Sequence, residues 1–281
     1  MPSENALLDN LLEQIKSDAL VLPTLPEIAL RVRDAVDNPE ASLHSISDEI
    51  AKDPALTASM IRIANSAFYA RAVKVTNLNA AVNRIGLEQV KNTATSMAMK
   101  QMFICQNEVV FDYFDRSWCD SVDVASAAGA VFAAFKQKRP GTELESDTLC
   151  LMGLVHNIGI LPILAEAEKN VAEFANRAFL DQAIRKLTKH IGVAIIRTWD
   201  FDKSFAVAIA KWDSLDYQPA AVDYLDFIRI GAIYAGLLGQ GRAQADLLQP
   251  YLEKGVIDDL GIFESEDFLE KYNETKSAFD D

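Results

Sequence analysis

The sequence predicts an all-α protein, a multi-helix bundle of two packed helical lobes. Apolar residues recur at helical spacing along most of the chain, and the alternation typical of strands is nearly absent. Glycine and proline number only 12 and 9 among 281 residues, which disfavours a loop-rich β sandwich. Half of the residues are hydrophobic, enough for a substantial core. Because no long linker divides the chain, we expect the lobes to pack against each other.

The first predicted elements are three helices. Residues 1–21 form an amphipathic helix in this prediction, because their apolar residues repeat at helical spacing: Leu7, Leu8, Leu11, Leu12 and Ile15. Pro23 and Pro26 then interrupt the chain. A second helix is predicted to start at Pro26, since proline fits the first helical turn. Ser45 followed by Asp48 resembles a capping box for a short helix that reaches Lys52.

Further helix starts complete the N-terminal lobe, residues 22–105. Asp53 before Pro54 marks a helix start, because aspartate caps and proline suits the first position. Thr76 or Asn77 is expected to cap a short helix that ends near Gly86. A helix over residues 87–103 follows, and residues 106–112 are predicted to be a connection.

The second lobe, residues 110–260, is predicted to begin with a long helix over residues 113–138. A loop follows where turn residues cluster. The remaining predicted helices cover residues 147–157, 160–177, 180–198, 203–211 and 219–239.

Residues 261–281 are an acidic C-terminal tail, and the sequence allows two interpretations of its structure. A charged terminus is commonly frayed. Alternatively, Phe268, Leu269 and Tyr272 form the apolar face of a short helix.

Net charge and cysteine content restrict the protein class. A net charge of −14 opposes general nucleic-acid binding, because phosphate backbones are repelled. Arginines and lysines cluster in the N-terminal part, where we interpret them as solvated helix faces. Cys105, Cys119 and Cys150 lack metal-type spacing, so we expect reduced thiols and a cytoplasmic location.

No secretory signal or membrane span is expected. The N-terminus lacks a basic region followed by an apolar one. The most apolar stretch, residues 149–165, falls short of the roughly 20 residues that a span needs. His156, Asn157 and Pro162 also interrupt it, so we interpret it as the centre of the core.

Residues 22–103 resemble the N-terminal half of an HDOD domain, a bacterial signalling family related to the HD phosphohydrolases. The matching elements occur in the family's order: Leu25-Pro26, Asp53-Pro54, Ala64-Asn65-Ser66-Ala67 before Phe68 and Tyr69, Thr76 with Leu78 and Ala81, and Gly86-Leu87. The resemblance implies a helical bundle that usually lacks the HD metal site. Asn65, Ser66, Phe68 and Tyr69 are candidates for a partner or ligand surface; the alternative for Asn65 and Ser66 is a helix end with local side-chain caps.

Residues 118–235 resemble the part of the HD superfamily that holds divalent metal. Gly153 to Gly159 reads Gly-Leu-Val-His-Asn-Ile-Gly, similar to the segment with the family's His-Asp pair. The resemblance places the four ligand positions at Asp120, His156, Asn157 and Ala232. No Gly-Tyr-Pro tripeptide of the HD-GYP phosphodiesterases occurs in the chain.

The ligand set implied by this resemblance is eroded. Asp120 replaces a histidine, Asn157 replaces the charged aspartate, and Ala232 has no ligating atom. A catalytic cation needs carboxylates to offset its charge. Asp226 lies about two helical turns from the fourth position at about 1.5 Å per residue, too far to substitute. His190 falls two residues from the family's histidine position, Thr188. We therefore expect no metal, no cofactor and no catalytic residue.

Three functions are compatible with these residues. The favoured one is a non-enzymatic regulatory module that binds a signalling protein, with a small nucleotide effector as a further candidate partner. The alternative is a metal-dependent HD-type phosphohydrolase or phosphodiesterase, for which His156 is the evidence. A dimerisation module has only the apolar helices in its favour, and the sequence leaves the oligomeric state open. Trp118, Trp199 and Trp212 are expected in the core.

Overall fold

The computed structural model describes residue 13 and residues 22–66, 69, 73–87, 89–102, 105–171 and 176–279. Within these residues it contains helices and no β-strand, which confirms the all-α prediction. The predicted helix over residues 1–21 lies outside the described residues except for Glu13.

The N-terminal lobe consists of five helices and one 3₁₀ turn. They are α1 (Glu27–Asp37), α2 (Leu43–Ile50), α3 (Pro54–Ala64), α4 (Leu78–Ile85), α5 (Val90–Ala98) and the 3₁₀ turn Met99–Met102. Asp53 caps α3 as predicted, with its Oδ1 accepting from the Leu56 amide at 2.9 Å. The predicted cap at Ser45 is wrong: Ser42 caps α2, and Ser45 supplies the reciprocal bond of the capping box.

The second lobe is built around one long helix, α6 (Glu108–Lys138), which packs against several later helices. The other elements are α7 (Ser146–Val155), α8 (Ile160–Lys169), α9 (Arg177–Thr198), α10 (Lys203–Lys211), α11 (Tyr224–Tyr234), α12 (Gln244–Glu253), the 3₁₀ turn Ile262–Glu264 and α13 (Glu266–Lys276). Helices α7, α8, α11 and α13 pack on α6.

The prediction of a connection over residues 106–112 is wrong from residue 108 onward. The Asn107 side chain accepts from the amides of Val109 and Val110, and this cap starts α6 five residues early. Glu168 of α8 accepts from the amides of Gln106 and Asn107, so the joint between the lobes is fixed to the second lobe.

The C-terminal segment is a packed helix rather than a frayed tail. Phe268 and Tyr272 are buried against α6, whereas Leu269 is 38% exposed. The Tyr272 hydroxyl donates to Asp123 of α6 at 2.6 Å. Past the end of α13, Phe279 meets Trp118 edge to face at 6.3 Å between ring centroids.

Two apolar segments form the middle of this core. Glu108–Lys138 and Ser146–Lys169 are long and apolar enough to cross a membrane by composition, but 72% and 83% of their most apolar windows are buried inside the protein. Such burial is what core helices of a soluble type of fold show. Trp118 and Trp199 are buried as predicted, and Trp212 is only half-buried.

Candidate functional site

The turn between α7 and α8 carries the two residues that resemble the His-Asp pair. Helix α7 ends at Val155, and His156 and Asn157 follow it in the turn. At Gly159 an added Cβ would lie 1.9 Å from the Thr188 carbonyl oxygen of α9. Only glycine therefore lets α9 approach the turn, and this approach places Thr188 beside His156 in one cavity.

His156 is a neutral, buried imidazole with one free nitrogen. Its Nδ1 lies 2.7 Å from the Gly153 carbonyl oxygen, which only accepts, so Nδ1 carries the proton. Nε2 then presents a lone pair, and it has no partner among the described residues. Burial lowers the pKa of His156 to about 4, and the ring meets Trp212 at right angles, 4.8 Å between centroids.

Asn157 faces the long helix α6. Its Nδ2 donates to Ser117 Oγ at 3.1 Å, and its Oδ1 accepts from Ser121 Oγ at 3.1 Å. Among the described contacts His156 bonds neither Asn157 nor Asp120, since its Nδ1 donates to the Gly153 carbonyl. Asn157 thus acts as a link between the turn and α6.

The other two eroded positions, Asp120 and Ala232, differ in whether they reach the cavity. Asp120 lines the cavity, and burial raises the pKa of its carboxyl. Ala232 is fully buried in α11 and does not line the cavity. Asp226 is buried and paired with Lys254 at 2.6 Å. Asp226 is therefore unavailable as a replacement ligand.

These residues do not fit the divalent metal that the HD superfamily implies. In the part of the chain that the structure describes, no three His, Cys, Asp or Glu side chains are grouped to hold a metal ion. His156 and Asp120 are the only eroded positions with a titratable side chain in the cavity. The remaining histidines, His44 and His190, are exposed elsewhere. One imidazole and one carboxylate hold a dication weakly, since such ions take at least four ligands.

The cavity has a volume of about 430 Å³, within the range of roughly 300–1,000 Å³ typical of small-molecule sites. Helices α6 and α9 form its walls, and the turn after α7 forms its floor. The lining residues are Tyr113, Arg116, Ser117, Asp120, His156, Asn157, Ile160, Asp181, Ile184, Arg185, Thr188, Lys189, Trp212, Asp213 and Leu237. Among the charged ones, Lys189 pairs with Asp213 at 2.6 Å, and Asp181 accepts from Tyr113 at 2.6 Å.

A buried arginine positions one end of the cavity. Arg229 of α11 is fully buried and donates to backbone carbonyls of residues 211–217, the loop that carries Trp212 and Asp213. The acceptors are the carbonyls of Lys211 at 2.9 Å, Trp212 at 3.3 Å, Tyr217 at 2.5 Å and Ser214. Sequence reasoning missed this residue, although a single arginine within an apolar helix is a signal for a buried hydrogen-bonded charge.

The candidate partner surface of the N-terminal lobe mostly faces inward. Asn65 donates to the carbonyls of Ile61 and Val75 and accepts from the Val75 amide. Ser66 is buried and donates to a backbone carbonyl. The Tyr69 hydroxyl bonds Thr93 at 2.9 Å, and Phe68 lies outside the described residues. For Asn65 and Ser66 this geometry favours the local-cap interpretation over a partner surface.

Comparison with solved structures places this fold among known proteins. A "Putative metal-dependent phosphohydrolase" from Shewanella amazonensis SB2B is 41% identical, with a TM-score of 0.94 and complete coverage of both chains. A "Putative signal transduction protein" from Marinobacter aquaeolei VT8 is 21% identical, with a TM-score of 0.52, over 97% of this chain and 66% of that one. The second likeness shows the fold alone.

Two sequence comparisons add to the structural ones, and one of them names the family that the motifs resemble. An uncharacterized protein of Treponema pallidum (strain Nichols) is 23% identical over 210 residues. The match covers 70% of this chain and 39% of the relative. The chain therefore spans about two fifths of that relative's length. The family model of the HDOD domain matches residues 22–214, well over half of the chain. The protein therefore belongs to the HDOD domain family.

Proposed function

We propose that this HDOD protein is a regulatory module of bacterial signal transduction that does not carry out HD-type metal-dependent hydrolysis. The observation that carries the proposal is the position of Asn157. Its neutral amide is bonded to two serines of α6, where the superfamily has a charged metal ligand. Ala232 removes a further ligand. With these ligands replaced, a divalent cation would be held too weakly to activate a water.

The module acts through binding, in this proposal, with a signalling protein as partner in the cytoplasm. The family match over residues 22–214 supports this role, because the HDOD family is associated with bacterial signalling, and the net charge of −14 argues against nucleic acid as the partner. A small effector in the cavity would be one way to alter the helices that the partner contacts. Affinity capture from an extract of a related bacterium, repeated with a chain whose cavity is altered, would identify such a partner.

A metal-dependent phosphohydrolase is the second candidate, because the Shewanella relative with that name is 41% identical over its whole length. Metal analysis separates the two functions. The protein is purified without chelator, its metal content is measured, and phosphomonoesters and phosphodiesters are assayed with Mn²⁺. We expect far less than one metal ion per chain and no turnover above that of His156→Ala. One ion per chain, with turnover that His156→Ala abolishes, would establish the phosphohydrolase instead.

A further inference from the structure

Two residues that line the cavity each have a buried polar side-chain atom without a hydrogen-bond partner among the described residues. These atoms are Nε2 of His156 and Oγ1 of Thr188, and both residues line the same space. His156 is only 1% exposed. Because nearly all buried polar atoms in folded proteins are paired, a molecule that fits this cavity should satisfy both.

The tautomer of His156 determines the chemistry of such a molecule at the floor of the cavity. Since Nδ1 donates to the Gly153 carbonyl, Nε2 can only accept. A hydroxyl, amino or amide N–H group satisfies it, whereas a carbonyl or phosphate oxygen does not. The Thr188 hydroxyl can donate or accept, so it suits the same polar groups.

The walls add a second requirement. Arg116 of α6 and Arg185 of α9 line the cavity and are exposed. Among the described residues, neither guanidinium has a carboxylate within 4.0 Å. Lys189, by contrast, is paired with Asp213. Asp120, one turn from Arg116, faces the same space and offsets part of its charge. Guanidinium groups bind phosphate through paired N–H donors, so the two arginines favour a phosphate on the ligand.

We infer that the cavity binds a phosphorylated small molecule the size of a nucleoside monophosphate, with its phosphate at Arg116 and Arg185 and a hydroxyl or amino group on His156 Nε2. The inference rests on the proposed function, since the ligand is held without being hydrolysed. The volume of about 430 Å³ suits one nucleotide.

Calorimetric titration of the full chain tests this inference. The probes are adenosine 5′-monophosphate, guanosine 5′-monophosphate and ribose 5-phosphate, compared with adenosine and inorganic phosphate. We expect at least one phosphate ester to bind saturably, and at least tenfold more tightly than either adenosine or phosphate alone. No saturable binding of any of the three esters would overturn the inference.

Variants then locate the bound molecule. Arg185→Gln should weaken binding about tenfold, equivalent to about 1.4 kcal/mol. Arg197→Gln, at an exposed arginine of the same helix outside this cavity, should change it less than threefold. Equal effects would show that only surface charge matters, which contradicts the inference. Thermal unfolding confirms that each variant is folded.

A pair of substitutions at His156 tests the acceptor. Asparagine can replace the Nδ1 donor toward the Gly153 carbonyl but has no atom at Nε2, whereas glutamine can present its carbonyl oxygen near the Nε2 position. We expect His156→Asn to lose at least tenfold in affinity and His156→Gln to restore most of it. Undiminished binding by His156→Asn would remove the imidazole from the site.

The same samples separate the two proposals. Each ester that binds is incubated with the protein and Mn²⁺, and released phosphate is measured. Binding with hydrolysis would refute the non-enzymatic function and, with it, the premise that the ligand is held without being hydrolysed. Absence of both binding and hydrolysis would refute the inference and leave the non-enzymatic function standing.

Discussion

Ser121 donates a hydrogen bond to Asn157 Oδ1 at 3.1 Å, across the contact between α6 and the turn that follows α7. Together with the bond from Asn157 to Ser117, it occupies both polar atoms of the side chain that stands where the HD superfamily ligates metal. The amide therefore has a structural role that an aspartate would perform differently.

Loss of the Asn157 side chain should destabilise the protein. Asn157→Ala leaves two serine hydroxyls of α6 without their partner, and we expect the free energy of unfolding to fall by about 1–3 kcal/mol in urea denaturation. Asn157→Asp should cost less, because both hydroxyls can donate to a carboxylate. We also expect Asn157→Asp to remain without stoichiometric metal, since Ala232 supplies no ligand; one bound Mn²⁺ per chain would contradict this.

The pH dependence of stability should include a contribution from His156. Burial holds its folded-state pKa at about 4, against 6.5 for the free side chain, while the hydrogen bond to Gly153 and the charge of Asp213 act in the opposite direction. The unfolded chain therefore takes up a proton first as the pH falls, and stability is lost between about pH 6.5 and 4, by at most about 3 kcal/mol.

His156→Asn removes that titration. The difference in unfolding free energy between pH 7 and pH 4.5 should be smaller in this variant than in the parent chain, whatever its absolute stability. Identical pH profiles would show that the imidazole is not held neutral in the folded protein.

Close packing at Gly159 should not tolerate a methyl group. An alanine Cβ would lie 1.9 Å from the Thr188 carbonyl oxygen and 2.5 Å from the Gly192 nitrogen, both backbone atoms of α9. We expect Gly159→Ala to cost at least about 2 kcal/mol of unfolding free energy, as overpacking does. Gly141→Ala is the control, since nothing lies within 4 Å of the position that its methyl group would take and its cost should stay within about 0.5 kcal/mol.

Removal of the buried guanidinium should release the loop over residues 211–217. Arg229→Met leaves four backbone carbonyls without their donor, and we expect a loss of at least about 1–3 kcal/mol, the cost of one unsatisfied buried acceptor, with altered tryptophan fluorescence from Trp212. The exposed Arg242 offers a matched control, and Arg242→Met should leave both measurements nearly unchanged. A stable Arg229→Met protein with unchanged fluorescence would refute this role.

The end of the chain should contribute to stability. Phe279 is 6% exposed and packs on Trp118, so Phe279→Ala should cost about 3 kcal/mol. Leu269→Ala, in the same terminal segment but 38% exposed, should cost under about 1 kcal/mol. Equal costs at the two positions would mean that the terminal residues are not packed as described.

Local signals in the sequence account for much of the fold. The Asp53-Pro54 start and the helix over residues 203–211 were predictable because caps and periodicity act between neighbours in the chain. The early start of α6 was missed although Asn107 is a local cap; only the bond that Glu168, 61 residues away, accepts from the Asn107 amide depends on the tertiary fold. The sequence left the structure of the C-terminal segment open, because its acidic composition is typical of a frayed tail although Phe268 and Tyr272 are buried.

The sequence predicted the residues of the candidate site only where they belong to a recognisable motif. Asp120, His156 and Asn157 do lie together on one cavity, whereas Ala232 does not. Arg116 and Arg185 could not be paired from the sequence, because α6 and α9 meet only after the chain has folded. The same limit applies to the inward direction of Ser66, which depends on tertiary packing.

The match to the HDOD family ends at residue 214, inside the loop whose carbonyls Arg229 holds. The segment that matches the family model and the packed unit that contains this loop therefore have different ends. A chimera that joins two relatives at residue 214 would combine the loop of one parent with helix α11 of the other, so the loop would lose its own arginine. Exchanging the family segment together with everything through α11 keeps the loop with its own arginine.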